Sequence, residues 1–83
     1  MKKAELIKIL VFLSNAYPRK FKFPLKTKRD NKEFIETWYD FLGDYDYLVV
    51  KNTAKKLIIS KSEWPPTLGE VVKEIKRNKL KIF

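Results

Sequence analysis

Glu33, Glu36 and Asp40 are spaced three and four residues apart, which places their carboxylates on one face of a helix. Carboxylates so arranged can hold a divalent cation or work as an acid–base pair. The rest of the chain offers little to complete such chemistry. Its 83 residues contain no cysteine and no histidine. That removes the commonest zinc ligands, the usual general base near neutral pH and the two commonest nucleophile–base pairs. It also removes any disulfide framework. The acidic stripe therefore reads as a solvated or electrostatic face, because helices near a surface carry such faces routinely. The expectation is a non-enzymatic protein with no metal, no other cofactor and no small-molecule substrate.

The stronger signal is positive charge. Lysine and arginine number 19 against 10 acidic residues, a net +9, and such a balance favours polyanions or acidic protein surfaces as partners. The charge is unevenly placed. Residues 1–29 hold nine basic groups and one acid, residues 30–47 one basic group and six acids, and residues 48–83 nine and three. Arg19, Lys20, Lys22, Lys26, Lys28 and Arg29, interleaved with Phe21 and Phe23, are candidates for phosphate or partner contact. Lys76, Arg77, Lys79 and Lys81 form a second candidate group, which would equally suit the negative end of a helix dipole. Trp38, Tyr39, Tyr45 and Tyr47 make an aromatic group of the kind that stacks on bases, yet Asp40, Asp44 and Asp46 among them would repel phosphates. Trp38 and Tyr47 are accordingly assigned to packing.

These residues need elements to position them, and the periodicity supplies an all-α answer: a compact bundle of four helices with a basic irregular connection between the first two. Leu6, Leu10, Leu13 and Tyr17, flanked by Ile7 and Val11, mark a helix over about 2–16, stopped by Pro18. Residues 18–30 form the connection, in which Phe21, Phe23 and Leu25 plug the helices; their alternation also suits a short edge strand, weakened by Pro24. Asp30 with Glu33 is a capping-box-like start to helix two, and Gly43 is placed to end it in a left-handed conformation. Helix three carries Tyr47, Val50, Ala54, Leu57 and Ile58 on one side, although its two β-branched clusters would also suit a hairpin; no further strands exist to build a sheet around one. Thr67 and Glu70 form a second capping box, opening helix four. One helical domain is expected over 1–76, with a short basic tail over 77–83. The expected core is Leu6, Leu10, Leu13, Phe34, Trp38, Phe41, Leu42, Leu57, Trp64, Leu68 and Val72. Nothing approaches the 18 apolar residues of a membrane span, and the opening apolar stretch is broken by Glu5 and Lys8, so a cytoplasmic protein is expected.

Three motifs occur in a fixed order: Ala16-Tyr17-Pro18 after the first helix, Trp38-Tyr39-Asp40-Phe41-Leu42-Gly43-Asp44-Tyr45, and Trp64-Pro65-Pro66-Thr67-Leu68-Gly69-Glu70-Val71. This order resembles the small phage-encoded replicative-helicase loader and inhibitor family of phages of Gram-positive bacteria, over about residues 5–76. The resemblance implies a compact all-α domain that binds a DnaB-type hexameric helicase, holds it inactive and delivers it to an origin complex, without catalysis of its own. In a viral setting the location would be the bacterial host's cytoplasm. Two departures accompany it. The connection after Tyr17 is longer and more basic than the family pattern, and the family's further flexible C-terminal extension, implicated in helicase contact, is not among the residues up to Phe83. The other function open at this level is a small basic nucleic-acid-binding protein of a phage or mobile element, contacting DNA or working beside an origin-binding protein.

Overall fold

A row of leucines at helical spacing builds the first element and sets where the others must lie. In the computed structural model, which describes residues 1–61 and 63–81, α1 (Lys3–Ala16) buries Leu6, Ile9, Leu10 and Leu13. The stripe widens on the Ile9 side rather than through Ile7 and Val11, which remain exposed. Glu5 reaches back to accept the Lys2 N–H at 2.8 Å, satisfying a donor that the helix start leaves open. Then follow α2 (Lys28–Leu42), α3 (Tyr47–Lys61) and α4 (Leu68–Lys81). The helix–hairpin alternative at α3 is thus resolved as helix. Helix α1 packs against α2 and α3, and α4 against the same two. The result is an all-α bundle.

The interior is aliphatic where the helices cross and aromatic where the connection meets α2. Leu6, Leu10, Leu13, Leu42, Val50, Ala54, Val71 and Ile75 are essentially inaccessible. A fully buried side chain of the Leu or Val kind contributes roughly 1.5–3 kcal/mol. Phe21 sits edge-on to both Phe34 and Trp38, with ring centroids 6.0 and 5.9 Å away. Phe23 lies against Phe34 at 5.9 Å. The connection therefore plugs the helices, without forming an edge strand.

Several expectations change at the helix ends. Helix α2 begins three residues early: the Thr27 hydroxyl accepts the Asp30 N–H at 3.1 Å, so Thr27 is the cap and Asp30 lies inside the first turn. Gly43 is right-handed, with φ at −58°. What calls for glycine there is space, since a Cβ would stand 2.7 Å from the Tyr39 carbonyl oxygen and 3.1 Å from its ring. Thr67 and Glu70 do form the reciprocal capping box, at 2.9 and 3.2 Å. Helix α4 continues through Lys81, so residues 77–81 are helical rather than a tail, and the last two residues of the expected tail lie outside the described residues.

Two residues placed in the core stand in solvent. Phe41 is 58% exposed and Trp64 62%. Phe34, two turns before Phe41 on the same side of α2, is covered by Phe21 and Phe23, and no such cover reaches Phe41. At the α3–α4 connection the fully buried residue is Pro66, and Trp64 turns outward. Phe34, Leu57, Leu68 and Val72 are half-buried against the core. Ile9, Tyr17, Phe21, Val50, Ala54, Val71 and Ile75 complete it.

Candidate interaction site

The basic connection is a fixed structure. After Pro18 the chain turns, with the Lys20 and Phe21 N–H groups donating to the Tyr17 carbonyl at 3.1 and 2.9 Å. The Ser14 hydroxyl donates to the Phe23 carbonyl at 2.8 Å. The Asn31 side chain then grips Leu25 twice, accepting its N–H and donating to its carbonyl at 3.2 Å. With Phe21 buried among aromatic rings, the segment is held at three successive points. Arg19, Lys20, Lys22 and Lys26 are exposed along it.

The candidate cations divide by environment. Lys28 and Arg29 lie on the first turn of α2, and Arg29 pairs with Glu33 at 3.4 Å. Lys76 and Arg77 are exposed on α4, where Arg77 approaches Glu74 at 3.6 Å. Lys79 and Lys81 fall on the same helix, and their side chains lie outside the described residues. Among the described residues, ion pairs engage Arg29, Lys56, Lys61 and Arg77. The cations of the connection are in none of them. Lys61 binds Glu70, and with the Thr67 N–H it holds that carboxyl below the ordinary glutamate range.

Lys20 is placed most specifically. Its ammonium lies 4.1 Å from the centroid of the Trp64 ring and donates to the Glu63 carbonyl at 2.5 Å. The start of the basic connection is thereby joined to the α3–α4 connection. Beside this junction is a hollow of about 240 Å³ lined by Ala16, Tyr17, Pro18, Arg19, Lys20 and Glu63. Periodicity could not reveal Trp64 as a surface group, because it falls between helices. The one available signal was its position before two prolines, which favours extended backbone.

The opposite charge gathers elsewhere. Asp40, Asp44 and Asp46 are exposed around the α2–α3 turn, flanked by Phe41 and by Leu48, itself 60% exposed. The carboxylates of Glu33, Glu36 and Asp40 do not assemble a cation site; among the described residues no cluster of three potential ligands occurs. No helix of the described residues is long and apolar enough to cross a membrane.

No curated protein and no solved structure matches the chain. A family model does: that of the N-terminal domain of the gene 39 protein, the helicase loader of phage SPP1, which matches residues 1–72. The match spans α1, α2, α3 and the capped start of α4, together with all three ordered motifs. Over that length the chain belongs to the family of this loader N-terminal domain, whose namesake is a phage protein acting on a DnaB-type helicase.

Proposed function

We propose that this domain binds a DnaB-type replicative helicase and loads or restrains it through protein–protein contact, without catalysis. Membership of the loader N-terminal-domain family over residues 1–72 is the observation that carries this reading. The surface best suited to the contact is the α2–α3 end. Exposed aromatic and aliphatic side chains at a rigid helix junction are the kind of group that supplies binding energy in interfaces. Phe41 and Leu48 stand there among Asp40, Asp44 and Asp46, which would select a basic apolar counterpart.

Titration of a DnaB-type hexamer, followed by size-exclusion chromatography and ATPase rate, is the direct test. A complex with altered ATPase or loading is expected. The Phe41→Ala variant should weaken it by about 1–3 kcal/mol, with the far-UV spectrum unchanged because the ring is exposed. Absence of a complex, or ATPase and loading unchanged at saturating protein, would reject the reading.

A further inference from the structure

We propose that Trp64, backed by Lys20 and served by Arg19 and Lys22 of the same connection as Lys20, is a stacking site for single-stranded nucleic acid. This is an activity additional to helicase contact and does not rest on it. The first support is the ring itself. Burial of an aromatic side chain removes a large apolar surface from water, yet Trp64 is left 62% exposed in a chain that buries its other tryptophan. It is also held rather than loose. Pro65 restricts the backbone at Trp64, Pro66 is anchored in the core, and Lys20 lies over the ring at 4.1 Å. A base can stack on the open part of the ring without first ordering it.

The second support is the charge beside it. Arg19, Lys20 and Lys22 are exposed, enter no ion pair among the described residues, and lie on a segment pinned through Phe21, Phe23 and Leu25. Aromatic faces combined with a basic track are the common elements of sequence-tolerant single-strand binding. Carboxylates are the opposing groups. Glu63 lines the adjacent hollow and carries negative charge onto this rim, while Glu70 is already matched by Lys61. Duplex DNA fits less well, because its bases are stacked on one another and cannot cover an isolated ring.

Titration with a short oligothymidylate at low salt, read by tryptophan fluorescence, tests the site. Quenching is expected to report Trp64, since Trp38 is buried. The Trp64→Ala variant should bind about 5- to 150-fold more weakly, the range set by loss of one stacked base, and Trp64→Phe should retain most of the affinity. Replacing Arg19, Lys20 and Lys22 by alanine should flatten the plot of log K against log salt by about 0.7 for each phosphate no longer neutralised. Glu63→Gln should tighten binding. Trp64→Ala binding as tightly as the parent chain, equal affinity for duplex and single strand, or no binding at low salt would each overturn the proposal. The assay contains no helicase, so its failure is separable from failure of the helicase reading.

Discussion

Glu70 serves two partners at once. Its carboxylate accepts the Thr67 N–H to close the capping box of α4 and takes the Lys61 ammonium at the end of α3. Both interactions favour the charged form, the lysine most, so its pKa is lowered in the folded state. A lowered carboxyl pKa stabilises the fold above the unfolded-state value and loses that contribution as pH falls through the folded one. The group is solvent-exposed enough for water to screen the effect. A small difference in melting temperature between the parent chain and Glu70→Gln is therefore expected at neutral pH. It should shrink as pH drops below the ordinary glutamate range. A difference that grows on acidification would contradict this assignment.

At the scale of elements, helix interiors were legible in the sequence and their ends less so. The leucine row of α1 and the Thr67–Glu70 box at α4 follow from spacing alone, because each depends on neighbours within one helix. The start of α2 does not. Asp30 and Thr27 are both good caps, and their spacing from the apolar stripe does not choose between them. In the fold the Thr27 hydroxyl takes the Asp30 N–H and its carbonyl the Asn31 N–H, so the helix opens at Thr27. The outward turns of Phe41 and Trp64 have the same origin, since periodicity assigns a face to a helix but cannot show where a neighbour stops covering it. For the same reason the basic candidates were legible as a charged segment, while the pairing of Lys20 with Trp64 was not. The cap assignment is checked by thermal melts: Thr27→Ala should cost about 1 kcal/mol, whereas Asp30→Asn should change stability by less than half as much. The reverse order would restore Asp30 as the cap.

The whole molecule is a thin slab, 44 × 28 × 17 Å, with a radius of gyration of 12.6 Å. A compact chain of this length would have about 11.8 Å. Each helix consequently keeps a wet face, and the core is concentrated in few residues. For a small domain holding roughly 0.05–0.15 kcal/mol per residue, one central vacancy matters greatly. Leu10→Ala, which empties a fully buried position shared by α1 and its neighbours, should cost about 2–5 kcal/mol in urea unfolding. That would leave the domain marginal at 37 °C. The slab also separates its charges: the acidic turn lies at the α2–α3 junction and the bare cations line the α1–α2 connection. The two proposed contacts therefore fall on different surfaces, and on those proposals a helicase and a single strand would not compete for the same one.

The clamp on that connection has a consequence for proteolysis. Lysine- and arginine-rich loops are where trypsin ordinarily cuts first, since cleavage requires the chain to fit a protease cleft in extended form and exposed loops comply most readily. Here Ser14 and Asn31 fasten the backbone on either side of Pro24, and Phe21 is buried. Nicking between Arg19 and Lys26 must therefore wait for a local opening that breaks those bonds. Limited digestion should spare this stretch, and Asn31→Ala should admit cleavage there severalfold faster with the melting temperature only modestly lowered. A segment that is cut at once in the parent chain would show that the cations ride on a loose arm and are not held in place in advance.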